Sequence, residues 1–374
     1  MKKLKVLIAA GGSGGHIFPA IALAKALRKF FEYDVDIRFV GSNKALDRRI
    51  FEKEGFGFTL ISANRFPYKI SFAVIPFFIK FAIDSFKMLF HFISYRPDVV
   101  VGFGGYVSCP VIITAAIFGK PRLVHEQNVC PGRANKILFR LADKVAVSFE
   151  KTRSGEAGGK NAGKYVFTGN PLRDEVLKED RAGGIKRFGL DGSKFTILVI
   201  GGSQGAHFLN ETFISAMSGI EKTVRGALQV IHLTGIKDYE RSLKAYELID
   251  GLESRVYSFI DRIEEAYSAS DLIVTRAGAS AIFEAAHFAR AMILVPYPFA
   301  MSHQSDNAKV FGDAGAAIVI DEKALSAEVF KDNILKLFKN REEIKKLGSA
   351  AERLSVPDPA AALAREVLKL SEKK

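Results

Sequence analysis

His16 stands directly behind a run of small residues, Gly11, Gly12, Ser13, Gly14 and Gly15, that follows the first apolar stretch of the chain. An imidazole where a glycine turn becomes a helix titrates at about 6.5 and can act as a general base at neutral pH; it can equally cap the helix. Between 275 and 284, Gly278 precedes Ala279, Ser280, Ala281, Ile282, Phe283 and Glu284. The first N–H groups of a helix starting there would favour a phosphate through hydrogen bonds and the helix dipole. Glu284 lies one turn beyond Ser280, so its carboxylate can accept from the two hydroxyls of a ribose, or simply sit on a helix surface. Ser302, His303, Gln304 and Ser305 are four consecutive hydrogen-bonding side chains suited to sugar hydroxyls, or to a capped loop. His125, Glu126, Gln127 and Asn128, and likewise Gly104, Gly105 and Tyr106, follow apolar runs and can reach a ligand or close a loop.

Other chemistries are disfavoured. No Gly-Lys-Ser/Thr follows Gly11, and Ile17 holds the place of the third glycine in a dinucleotide fingerprint, which weakens ATP and NAD as ligands. Asp34-Val35-Asp36 matches an Asp-x-Asp signature of metal-dependent sugar transfer, but it opens a strand away from any glycine loop. No other carboxylate or histidine cluster suggests a metal, and no cofactor is expected. The only cysteines, Cys109 and Cys130, have neither redox nor metal-ligand spacing and read as buried thiols of a reducing compartment.

These loops need a scaffold, and the chain supplies it twice. Gly201, Gly202, Ser203, Gln204 and Gly205, followed by His207, repeat the pattern around His16. Each copy reads as buried strand (6–10; 196–200), glycine turn and helix, which predicts two α/β domains, each able to receive an anion at a helix N-terminus. A chain of 374 residues also exceeds what one core usually serves. Apolar runs at 5–10, 36–40, 98–103, 122–125 and 144–147, then at 195–200, 229–233, 255–259, 272–275 and 292–296, alternate with helical patterns. The expected fold is α/β, with two Rossmann-like doubly wound domains facing across a cleft. The expected division is 1–168 and 169–356, with a hinge at 165–173 and the helix of 357–374 packing back onto the first domain.

Lysine and arginine number 54 against 41 acidic residues, a net charge of +13 that favours an anionic partner. With no zinc finger, RNP-like motif or arginine-rich run, nucleic acid is not the expected one. The segment 66–95 is dense in phenylalanine and isoleucine, punctuated by Lys69, Lys80 and Lys87. Its longest uncharged stretch, 70–79, falls short of the roughly 18 residues a spanning helix needs. Helical structure here can cover the sheet with one side and lie on an anionic membrane surface with the other. The basic start Lys2, Lys3 and Lys5 resembles a signal-peptide n-region, but the apolar run ends at Gly11 and suits a first strand better.

Taken together, 11–19, 101–106, 125–128, 169–173, 201–205, 276–284 and 303–308 resemble, in order, the MurG family, peripheral membrane N-acetylglucosaminyltransferases that complete the disaccharide of the bacterial cell-wall lipid precursor. The resemblance implies a GT-B fold and inverting transfer of N-acetylglucosamine from UDP-GlcNAc to the C4 hydroxyl of the MurNAc of lipid I, giving lipid II and UDP at the cytoplasmic face of the plasma membrane. It implies that Ser13, Gly14, Gly15 and Asn128 line the donor-sugar side, and that Arg173 and Ser203 lie near the pyrophosphate. Ile260 would meet uracil through its backbone, Ala279 to Glu284 would hold phosphate and ribose, and Gln304 the sugar. His16 is the expected base, with Glu126 the nearby alternative. Ala281 and Phe283 depart from the family's threonine and small residue, so backbone amides must carry more of the phosphate site. The rivals are a UDP-GlcNAc 2-epimerase, a non-catalytic nucleotide-sugar-binding subunit at the membrane surface, and, least favoured, a nicotinamide-dependent oxidoreductase.

Overall fold

The computed structural model describes residues 3–29, 34–64, 74–156, 163–173, 176, 180–201, 206–298 and 303–372. The chain forms two compact units, Met1–Arg173 with Val356–Lys374, and Asp174–Ser355.

The first unit holds seven strands, β1 (Leu4–Ala9), β2 (Val35–Ser42), β3 (Gly57–Ile61), β4 (Val99–Gly102), β5 (Arg122–Glu126), β6 (Lys144–Val147) and β7 (Tyr165–Phe167). They lie in the order β3-β2-β1-β4-β5-β6-β7, and every pairing is parallel. A parallel sheet buried on both faces needs apolar side chains at odd and even positions alike, which is why these strands are continuous apolar runs. In β1, Val6 and Ile8 join a core with Leu23 and Leu27 of the helix Gly14–Lys29 and with Leu363 and Val367 of the helix Pro359–Glu372. Leu7 and Ala9 point the other way, to Met88 and Phe92 of the helix Val74–Tyr95 and Val107 and Val111 of the helix Gly105–Ile117.

The second unit holds β8 (Phe195–Ile200), β9 (Leu228–Leu233), β10 (Glu253–Tyr257), β11 (Leu272–Thr275), β12 (Ala291–Leu294) and β13 (Ile318–Val319), ordered β10-β9-β8-β11-β12-β13 and again parallel throughout. Phe195, Ile197 and Val199 pack on Leu209 and Phe213 of the helix His207–Ser218 and on Phe330, Ile334 and Leu337 of the helix Ala327–Lys339. In both sheets the strand succession reverses beside the first strand, between β1 and β4 and between β8 and β11. Loops that leave the carboxyl ends there diverge and open a ligand crevice.

Three short or edge strands, β3, β7 and β13, lie outside the expected runs. Tyr165–Phe167, read as part of a hinge, is instead an edge strand paired with β6, and the first unit runs on past Thr168 to Arg173. A three-residue edge strand pairs on one side only and needs no long apolar run, so it leaves little pattern. Asp34-Val35-Asp36 leads into β2; Lys3 pairs with Asp34, and the carbonyl of Asp36 accepts from the Tyr95 hydroxyl.

Within 66–95, residues 66–73 lie outside the described residues, and the rest is one helix, Val74–Tyr95. Asp84, Met88, Phe92 and Tyr95 form its buried stripe, while Ile75, Phe78, Ile79, Ile83, Phe86, Phe90 and Ile93 are exposed. Asp84 accepts from the Ser62 and Ala63 amides at 2.9 and 3.1 Å, fixing the helix to the end of β3. Among the described residues no helix is long and apolar enough to cross a membrane.

Candidate functional site

In the first unit the glycine loop after β1 carries the chemistry. The Ser13 carbonyl accepts from the His16 and Ile17 amides, both at 3.2 Å, which starts the helix, and Ser13 Oγ lies 3.3 Å from His16 Nδ1. Gly105, the first residue of the helix Gly105–Ile117, lies against the imidazole; its φ of +68° suits glycine, and a Cβ there would sit 3.4 Å from His16 Cε1. His16 is half-buried. Loss of water pushes its pKa below the usual value, while the Glu126 charge, a hydrogen bond with the Gly11 backbone and the Asp47 charge pull it back, and Lys44 adds to the lowering. At neutral pH the ring is uncharged and able to accept a proton.

The residues after β5 have different work. His125 is fully buried: Nδ1 accepts from Gln127 Nε2 at 3.1 Å, and Nε2 donates to the Gly169 carbonyl at 3.2 Å. Desolvation pushes it down to about 4, so it is a neutral structural imidazole. Glu126, also buried, accepts at Oε1 from Asn128 N and Nδ2 (2.9 and 3.2 Å) and at Oε2 from Gly132 N and Asn135 Nδ2 (3.2 and 2.7 Å). Both oxygens are committed to shaping the loop that presents Asn128. The Arg173 guanidinium lies 4.8 Å from the ring centre of Phe18, on the same helix as His16.

In the second unit, Ser203 lies outside the described residues, as do Gly202, Gln204, Gly205 and Ser302. Gly278 caps the helix Ala279–His287 without a side-chain bond, and the Ile282 amide donates to the Gly278 carbonyl at 3.1 Å. The amides of Ala279, Ser280 and Ala281 therefore have no intrahelical acceptor. Among the described residues Ser280 Oγ is buried with no hydrogen-bond partner. Ile282 and Phe283 turn away from this helix start into the core, Phe283 meeting Phe311 edge-on at 5.8 Å. Both side chains are buried in that core. Glu284 is 8% exposed, one turn below Ser280.

Around this start the loops are braced. Asn307 Nδ2 donates to the Ala277 carbonyl at 3.1 Å, Arg276 donates to the Val295 carbonyl at 3.2 Å and pairs with Glu322, and Gln304 Oε1 accepts from the Tyr297 amide at 2.8 Å. Ile260 sits half-exposed in the loop after β10. The structure thus brings Ser13, Gly14, Gly15, His16, Glu126 and Asn128 to the carboxyl edge of the first sheet. It brings Ile260, Ala279, Ser280, Ala281, Glu284 and Gln304 to that of the second.

One residue at this edge escapes sequence reasoning. Asp47, in the first turn of the helix Ala45–Lys53, is fully buried and accepts from the Gly12 amide at 2.9 Å. Its distance along the chain from the glycine loop hides it; only the pairing of β1 with β2 brings them together. Among the described residues no group of His, Cys, Asp and Glu could hold a metal ion.

Comparison with known proteins agrees with this layout. Residues 6–147 match the glycosyltransferase family 28 N-terminal domain, and 196–363 match the glycosyltransferase family 28 C-terminal domain. A UDP-N-acetylglucosamine--N-acetylmuramyl-(pentapeptide) pyrophosphoryl-undecaprenol N-acetylglucosamine transferase of Halothermothrix orenii is 36% identical over 95% of both chains. A protein of the same description from Bacillus subtilis is 35% identical over 96% of this chain and 98% of its own. The crystal structure of Acinetobacter baumannii MurG superposes with a TM-score of 0.76 at 28% identity, covering 98% of this chain and 99% of that one. A putative UDP-N-acetylglucosamine 2-epimerase from Listeria monocytogenes superposes with a TM-score of 0.71 at 16% identity over 98% of this chain and 95% of its own, a likeness of fold alone. The chain belongs to glycosyltransferase family 28, among its MurG members, and is a glycosyltransferase with the two-domain GT-B fold.

Proposed function

We propose that this enzyme transfers N-acetylglucosamine from UDP-GlcNAc to the C4 hydroxyl of the MurNAc of lipid I, with inversion at the anomeric carbon, giving lipid II and UDP. The observation that carries the reading is the uncharged His16 behind the first glycine loop, in a chain that MurG proteins match nearly end to end. His16 takes the proton from the C4 hydroxyl as its oxygen attacks the anomeric carbon opposite the diphosphate. Charge that develops on the departing UDP falls to the amides of Ala279, Ser280 and Ala281, the Ser280 hydroxyl, Ser203 and Arg173, so that the leaving group is stabilised by fixed donors. Glu284 holds the ribose, Ile260 meets uracil through its backbone, and Ser13, Gly14, Gly15, Asn128 and Gln304 orient the donor sugar. Replacing Glu284 by alanine weakens donor binding more than it slows turnover.

The first unit takes the lipid acceptor and the second the nucleotide sugar. The exposed apolar face of the helix Val74–Tyr95, with Lys80 and Lys87 on the same helix and a net charge of +13, supports docking on an anionic membrane surface. Such docking suits a peripheral enzyme of the cytoplasmic leaflet, where a polyprenyl-linked acceptor is embedded.

The test is to incubate the purified protein with UDP-GlcNAc and a short-chain lipid I analogue, with chelator present, and to follow UDP release together with disaccharide. UDP release that depends on acceptor is the expected result. Appearance of UDP-N-acetylmannosamine without disaccharide would replace the reading by a 2-epimerase, and donor binding without any reaction would replace it by a subunit that needs a partner.

A further inference from the structure

The glycine loop that precedes His16 is held by two residues at the start of the neighbouring helix, its N-cap Lys44 and Asp47 in its first turn. Asp47 is fully buried, and its carboxylate accepts from the Gly12 amide at 2.9 and 3.2 Å, from the Ser42 amide at 2.8 Å and from the Ser42 hydroxyl at 2.7 Å. Lys44 Nζ grips the other side of the same residue, donating to the Gly12 carbonyl at 2.6 Å. Gly12 has φ of +84°, and a Cβ on Gly11 would overlap Asp47 Oδ2, so the glycines are shaped around this carboxylate. A buried carboxylate is costly unless its lone pairs are met, and here the partners that meet them are the loop's own N–H and the end of β2. Breaking the arrangement therefore moves the loop as well as destabilising the helix start.

We propose that Asp47, together with Lys44, is a positioning element for the transfer reaction: the two side chains clamp the Gly12 peptide and thereby set the orientation of Ser13 and His16 towards the acceptor hydroxyl. The proposal rests on the reading of His16 as the base. The clamp also sets the field at the imidazole. The charged groups that act on His16 are Glu126 from the end of β5, Asp47 and Lys44; the two anions raise its pKa and Lys44 lowers it, against the larger lowering by burial. His125 next to it is uncharged at neutral pH.

Asp47→Asn and Lys44→Met are compared with the wild-type enzyme for kcat, the KM for UDP-GlcNAc and the pH profile of kcat, with the short-chain lipid I analogue as acceptor. Both variants loosen Gly12, so both lower kcat, Asp47→Asn by about 10- to 100-fold, with little change in donor KM. The acid limb of the profile moves to lower pH in Asp47→Asn and to higher pH in Lys44→Met. A side chain that only helps the protein fold would lower melting temperature and yield without moving that limb. Lys44 is exposed, so Lys44→Met remains folded whatever happens to Asp47→Asn. Wild-type kcat and an unmoved limb in Lys44→Met overturn the proposal. Combined with His16→Ala, Asp47→Asn costs no further rate if it acts through the imidazole, and a full additional loss overturns it. Near-normal turnover by His16→Ala alone identifies the base assignment as the part that fails.

Discussion

His125 Nε2 lies 3.2 Å from the carbonyl oxygen of Gly169, tying the end of β5 to the segment that follows β7. This bond and the one from Gln127 hold the fully buried ring in a single uncharged tautomer. The imidazole titrates at about 4 when folded, against about 6.5 for an unperturbed ring. Between those values the unfolded chain binds a proton that the folded chain refuses. Stability is then full above about pH 6.5 and is lost as pH falls towards 4, by about 1.4 kcal/mol per pH unit. His232, buried against Tyr246 and Asn210 and pushed down to about 3, adds a loss of the same sign in the second unit. Urea unfolding at pH 7.5, 5.5 and 4.5 should show this decline. His125→Gln should be less stable at pH 7.5 yet decline less steeply; an equally steep decline would remove His125 as a cause.

His16 and Glu126 should fail in different ways when altered. His16→Ala should lower kcat by roughly 100- to 10,000-fold while leaving UDP-GlcNAc binding and melting temperature intact. The acid limb of kcat in the wild-type enzyme should fall below pH 6.5, because burial holds the ring below its usual value. Glu126→Gln sets an NH2 against donors that now point at carboxylate oxygens, so it should cost about 1 to 3 kcal/mol of stability and raise the donor KM through Asn128. A Glu126→Gln enzyme with unchanged stability and donor KM but little turnover would return the role of base to the carboxylate.

Ser280 and Phe283 stand three residues apart on one helix and should separate binding from folding. Ser280 Oγ is buried without a partner, so Ser280→Ala should leave the unliganded melting temperature unchanged or slightly raised. Its affinity for UDP should drop by about tenfold, the worth of one hydrogen bond to a charged group. Phe283→Ala empties a place against Phe311 and should cost about 3 to 5 kcal/mol of stability, with the UDP affinity of the folded fraction preserved. Calorimetric titration with UDP and thermal melts of both variants check the pair; weaker UDP binding by folded Phe283→Ala would contradict it.

The helix Val74–Tyr95 leaves Phe86 and Phe90 63% and 69% exposed while Met88 and Phe92 are in the core. Replacing Phe78, Phe86 and Phe90 together by serine should leave folding and turnover of a short-chain acceptor unchanged. Sedimentation with vesicles containing anionic phospholipid should fall sharply in that variant, and added salt should weaken wild-type binding. Equal sedimentation of variant and wild type would mean that another surface meets the membrane.

The glycine loop before His16, the parallel strands of both sheets and the helix start at Ala279 were all legible in the sequence. Each is local: a buried parallel strand needs an unbroken apolar run, and a sharp turn into a helix needs glycine, whatever surrounds them. Edge strands β3, β7 and β13 were not, because pairing on one side imposes little pattern on few residues. Spacing also could not assign work within the loops. Only the folded chain turns Glu126 towards Asn128, Gly132 and Asn135, sends Phe283 to Phe311, and brings Asp47 across from β2 to the Gly12 amide. Those outcomes depend on which side chains meet across distant parts of the chain. Residue type and periodicity carry no record of such encounters; packing decides them.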